Sequence, residues 1–133
     1  MQTRDQKYGA AIFKQISEEV AGKGTEYQNS YGSMAHKLPV LIRSAGLAQA
    51  LGFVEARGKK EHKDLLDHLA VVVLNEDTAK GFQLSKQSRE TKQLGEYMRL
   101  THEVMAALVW YKRFAQSVLD VDASEANTES PED

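Results

Sequence analysis

The sequence contains no cysteine, which removes disulfide scaffolds, thiolate metal sites and cysteine nucleophiles from consideration. It also lacks any run of about 18 apolar residues that could cross a bilayer. The first residues carry Arg4, Asp5 and Lys7 but no apolar segment with a small-residue cleavage site, so no secretion signal is expected and the chain is assigned to the cytoplasm. No G-x-S-x-G elbow exists for acyl transfer. Gly22-Lys23-Gly24-Thr25 falls short of a phosphate loop, because Ser17 occupies the place of the first glycine and threonine does not follow the lysine directly. The residues three before His36, His62, His68 and His102 are Ser33, Lys59, Leu65 and Arg99. None of them is the glutamate that a helical di-metal centre uses, so no metal and no cofactor are expected.

What is present fits one helical domain. A chain of 133 residues can bury about two thirds of its unfolded surface in a single core, and no internal repeat or Pro- or Gly/Ser-rich linker divides it. The net charge of −2 conceals an asymmetry: all 17 lysines and arginines precede Leu119, whereas six of the 19 carboxylates lie from Asp120 onward. Residues 1–118 therefore carry +4 and are read as the bundle, and residues 119–133 as an acidic, disordered tail. A mild basic excess suits phosphate contact without requiring it.

Hydrophobic periodicity gives an all-α bundle of about five or six helices with a long C-terminal one. Thr3 and Gln6 form a capping box, after which Tyr8, Ile12, Ile16 and Val20 recur on one drifting face. Thr25 is read as the next N-cap. Pro39 lacks a backbone donor and restrains Leu38, so the segment is expected to break into two short helices there, with Gly46 in a left-handed turn before Leu47 starts another. His62 to Asn75 carries Leu65, Leu66, Leu69, Val72 and Val73 at helical spacing. Asn75 to Ser85 reads as a loop holding a single turn, with Phe82 and Leu84 tucked inward. Ser88 then caps the last helix, whose core face runs from Leu94 through Tyr97, Met98, Val104, Leu108 and Tyr111 to Val118. Leu100, Ala107 and Phe114 form its second face, either covered by the domain or presented to a partner.

Arg4, Lys7 and Lys14 fall in one narrow sector of the first helix, and Lys37 and Arg43 flank Pro39. These five are the candidate phosphate contacts, although the residues alone favour solvated surface charge. Cations and aromatic residues are poorly interleaved, which argues against sequence-specific reading of single strands. A second reading is enzymatic: Arg57-Gly-Lys-Lys-Glu-His62 fits the loose Arg-x4-6-His spacing of helical HEPN ribonucleases, in which histidine moves a proton and arginine steadies the phosphorane. A third is a protein-only helical adaptor.

His36-Lys37-Leu38-Pro39, Leu41-Ile42-Arg43, Gly46-Leu47, Gln49-Ala50-Leu51 and Phe53, together with the opening Arg4-Asp-Gln-Lys-Tyr8, resemble the small all-helical subunit of type III-B CRISPR RNA-silencing effectors, the Cmr complex. The resemblance covers roughly residues 1–118. It implies a non-catalytic architectural role in antiviral defence within a ribonucleoprotein. The implied partners are other subunits of the effector complex, further copies stacked as a minor filament, and the backbones of guide RNA and target RNA. Lys37 and Arg43 match the family motif, whereas Arg4, Lys7 and Lys14 rest more on their stripe.

Overall fold

The computed structural model describes residues 1–123, and the rest of the acidic segment assigned to a tail lies outside the described residues. Among the described residues there are six α-helices and no strand: α1 (Arg4–Gln15), α2 (Thr25–Ala45), α3 (Leu47–Arg57), α4 (Lys60–Leu74), α5 (Gly81–Glu90) and α6 (Leu94–Ser117). A π-helical turn, Ile16–Val20, extends α1. The capping box at Thr3 and Gln6 is present, with bonds of 2.8 and 3.0 Å. Tyr8, Ile12, Ile16 and Val20 are all buried. Residues four apart drift around an ideal α-helix, and the wider π turn, closed by Ala21 N–H to the Ile16 carbonyl at 2.8 Å, brings Val20 back to the core side.

The most enclosed helix is α2. Seven consecutive residues, Ser30 to His36, are buried, followed by Leu38, Pro39 and Ile42, and the helix packs against α3, α4 and α6. That enclosure corrects the expected break at Pro39. The proline sits inside a continuous helix of 21 residues, and packing on three sides offsets the roughly 3 kcal/mol that an interior proline costs. Thr25 is likewise the first helical residue, not the cap. Gly24 holds the cap position without a side-chain bond, while the Gln28 amide donates back to the Ala21 and Lys23 carbonyls at 2.9 and 2.6 Å. Gly46 joins α2 to α3 at φ 89° and ψ 158°, a region open essentially only to glycine.

The expected loop between Asn75 and Ser85 extends only to Lys80, and Gly81 to Ser85 form the start of α5. Its first turn is fixed from outside by Asp67 of α4, whose Oδ1 accepts the Gly81 N–H at 2.8 Å, and from within by Gln83, whose Oε1 accepts the Lys80 N–H at 2.7 Å. Leu84 points into the core as expected, but Phe82 is 59% exposed. Ser88 does not cap α6. It lies within α5, where its hydroxyl donates to the Ser85 carbonyl at 2.7 Å, and α6 begins after Gln93.

The expected core face of α6 holds from Val104 onward but not at its start. Leu94 and Met98, expected inside, are exposed, whereas Leu100 and Ala107 of the second face are buried with Val104, Leu108, Tyr111 and Ala115. Leu100 and Ala107 of that second face are therefore covered by the domain, and Phe114 only in part. The core continues past Val118: Asp120 adopts a left-handed φ of 58°, Leu119 and Val121 are buried, and His36 Nε2–H donates to the Val121 carbonyl at 2.9 Å. His36 of the motif thus fastens the chain beyond α6 onto α2.

Candidate nucleic-acid interface

The structure distributes the five candidate cations over several sides of the bundle. Arg4 leans over the Tyr8 ring, 5.8 Å from its centroid, and pairs with Glu103 at 3.6 Å. Lys7 shares a shallow cleft with Arg4, Val72 and Asp77, while Lys14 borders a larger, mixed-charge cleft beside Glu18, Glu19, Asp64, Asp67 and Asp77. Lys37 and Arg43 are six residues apart on α2, about 120° around the helix, and do not share a face. Lys37 instead lies close enough to His62 for its charge, with that of Lys59, to act on the imidazole. Arg43 is on the exposed C-terminal turn of α2.

His62, the histidine of the ribonuclease reading, is only 3% exposed. Its Nδ1 accepts the Lys59 N–H at 3.2 Å, closing the first turn of α4, which leaves Nε2 as the protonated nitrogen, 3.1 Å from the Ser30 hydroxyl. Burial first, then the neighbouring lysine charges, push its pKa down to about 4. A buried side chain with one nitrogen closing its own helix turn and the other bound to α2 is poorly disposed to take a proton from a 2'-hydroxyl. Arg57 is exposed at the end of α3, whereas His62 is buried.

A polar network that the sequence reading missed links α1, α2, α4 and α6. Tyr31 and His68 Nδ1 are 2.7 Å apart, and Nε2 of the same ring faces Glu19 at 3.5 Å. Tyr111 donates to Gln15 Oε1 at 2.5 Å, and the Gln15 amide donates to the His68 carbonyl at 3.0 Å. At its rim Tyr27 donates to Asp64 at 2.5 Å, and Lys60 reaches the same carboxylate at 3.0 Å. Burial would raise the Asp64 pKa, but these two hydrogen bonds hold it below the usual carboxylate range. The network is built for structure, since its donors and acceptors satisfy one another. Partners so far apart in sequence carry no local pattern. Among the described residues no group of three His, Asp or Glu is placed to hold a metal ion, and no helix is long and apolar enough to cross a membrane.

The seam between α1 and α6 is different. Phe13, 49% exposed, meets Phe114 edge-on at 5.3 Å, and Phe114 stacks on Trp110 at 5.6 Å. The Trp110 indole N–H donates to Asp5 at 3.1 Å, and the Arg113 guanidinium lies 5.6 Å from the indole centroid. Gly9 is what admits the indole: a Cβ there would stand 3.0 Å from the ring. The Trp110–Phe114 spacing of four is visible in the sequence, but the approach of Phe13 is not.

Residues 4–118 match the family described as CRISPR-associated protein (Cas_Cmr5). The chain is similar to the CRISPR system Cmr subunit Cmr5 of Thermus thermophilus, with 43% identity over 120 residues that cover 90% of this chain and 99% of that protein. It is also similar to the crystal structure of a CRISPR-associated Cmr5 family protein from Thermus thermophilus, with a TM-score of 0.77 and 45% identity over 89% of this chain and 98% of that one.

Proposed function

The chain belongs to the Cmr5 family of CRISPR-associated proteins, and from that premise we propose that it is a non-catalytic, architectural subunit of a type III-B CRISPR effector, the Cmr complex. Copies of it stack as a minor filament, and exposed cations meet the backbone of guide and target RNA. The observation that carries this reading is the correspondence with a named Cmr subunit along nearly the whole of that protein. Lys7, Lys14, Lys37 and Arg43 supply the phosphate contacts, with Arg4 contributing where Glu103 releases it. Their spread around the bundle suits a subunit lodged between RNA and neighbouring proteins better than one that grips RNA alone. Backbone contacts position RNA without reading its sequence, in keeping with a surface short of base-reading groups.

The test is fluorescence anisotropy of labelled single-stranded RNA and RNA duplex against the purified chain over a salt series, with aliquots run on a denaturing gel. Intact RNA is expected, bound weakly and without sequence preference. If about two phosphates are engaged, affinity falls roughly tenfold between about 50 and 200 mM salt. Lys7→Glu with Lys14→Glu lowers both the affinity and the slope. Cleaved RNA would return the reading to a ribonuclease, and an absence of binding at low salt would favour an adaptor that meets only protein.

A further inference from the structure

We propose that the α1–α6 seam is a stacking platform for unpaired nucleotides of an RNA strand, with Phe13, Trp110 and Phe114 as the ring surface and Lys14, Lys112 and Arg113 as its phosphate partners. The proposal deepens the RNA-contacting reading and rests on it for the class of ligand.

The seam joins two features that the helices show separately. Three aromatic rings from two helices are held in mutual contact, at 5.3 and 5.6 Å, with the Phe13 ring about half open to solvent. Along the two helices the stretches that carry the rings hold charge of one sign, although Lys7 and Lys14 also border clefts that contain carboxylates. No carboxylate occurs between Asp5 and Glu18 on the α1 side, nor between Glu103 and Asp120 on the α6 side, whereas Lys7, Lys14, Lys112 and Arg113 all lie in those intervals. The one nearby acid that touches the cluster, Asp5, is engaged by the Trp110 indole.

Rings with a guanidinium against them, and with their one contacting carboxylate already bound by the indole, fit a ligand that alternates flat aromatic groups with negative charge, which describes a single-stranded nucleic acid. A base laid against the open half of Phe13 replaces solvent with aromatic contact. Arg113, already beside the Trp110 ring, can remain against the indole or swing to the adjoining phosphate. The rings do not discriminate among bases, so the platform holds a strand without reading it. A paired duplex, whose bases are stacked on one another, offers it nothing but backbone.

Trp110 is the sole tryptophan of the chain and so reports on the site directly. The experiment titrates the full-length protein with a uridine 12-mer and with an RNA duplex of equal length at low salt, reading tryptophan emission and anisotropy together. The single strand is expected to quench or shift the emission and the duplex to leave it nearly unchanged. Phe13→Ala is expected to weaken single-strand binding about fivefold to a hundredfold, with duplex binding and thermal midpoint little altered. Phe13→Tyr restores binding, which separates loss of a ring from loss of fold.

Single-strand binding by anisotropy with unchanged emission, and with Phe13→Ala equal to the parent, overturns the platform while leaving the backbone-contact reading intact. Binding of neither RNA overturns both. Self-association lost in Phe13→Ala, with no emission response to RNA, overturns the proposal in favour of a seam that meets another protein surface.

Discussion

Tyr111→Ala is expected to destabilise the bundle by about 3–5 kcal/mol, a large share of the roughly 5–15 kcal/mol that holds a domain of this kind together. Tyr111 is fully buried on α6 and belongs to the network that ties α6 to α1 and α4, so its loss opens a ring-sized cavity and removes the donor to Gln15. Burial, the chief influence, holds the phenol pKa well above its usual value despite the opposing Gln15 bond, so the donor role persists throughout the working pH range. Tyr111→Phe divides the effect, because it keeps the ring and abandons only the hydrogen bond, for about 1–2 kcal/mol. Urea denaturation of the two variants measures both parts. An alanine variant within about 1 kcal/mol of the parent would mean that α6 does not pack as described.

Stability is also expected to fall between about pH 6.5 and 4, chiefly through His62. In the unfolded chain this histidine takes up a proton near its ordinary value of 6.5, whereas burial and then the charge of Lys59 lower its folded value to about 4. Below pH 6.5 the unfolded state therefore binds more protons than the folded one, and acidification favours unfolding. The contribution is whole above about 6.5 and is lost progressively as the pH falls toward the folded value, by at most about 3 kcal/mol. His68 acts in the same direction, lowered by burial against the opposing pull of Glu19, Asp64 and Asp67. Asp64 belongs to a lower window. Its depressed pKa adds stability above about 3.8 that vanishes only at stronger acidity, so it leaves the histidine effect unobscured. Chemical denaturation at about pH 7.5 and about pH 4.5 is the check, with His62→Gln expected to flatten most of the difference. A parent equally stable at both values would contradict a neutral, buried His62.

The elements legible in the sequence were those whose signals are local. The capping box at Thr3, the apolar period of α4 and the glycine at position 46 each specify geometry within a few residues, and each stands in the fold where the pattern placed it. The errors have a common physical source in partners that lie elsewhere in the chain. Pro39 reads as a break until three packed helices enclose it. Gly81 reads as a loop because its cap, Asp67, belongs to another helix. On α6 apolar residues are too numerous to say where the core stripe begins and how wide it is, and packing against α2, α1 and α4 buries Leu100 and Ala107 beside Val104 and Leu108 while leaving Leu94 and Met98 outside. The same limit applies to the candidate interface. A helical wheel placed Arg4, Lys7 and Lys14 in one sector, but it could not show that Glu103 reaches Arg4 or that carboxylates of α4 crowd Lys14. Nor could it show that Phe13 would find Phe114, about a hundred residues away. His36 and Lys37 were visible as motif residues. Their physical settings, one fastening Val121 and the other near enough to His62 for its charge to act on it, needed the fold.

The central claim, membership of a working RNA-guided assembly, is tested most directly by purifying the tagged, full-length chain from its native cells. Mass spectrometry would identify the co-eluting proteins, and sequencing the co-eluting RNA. The expected result is elution with the other Cmr subunits and with guide RNAs derived from the CRISPR array, retained at moderate salt through many contacts acting together. Elution of the chain alone, or with proteins unrelated to CRISPR and without guide RNA, would contradict it.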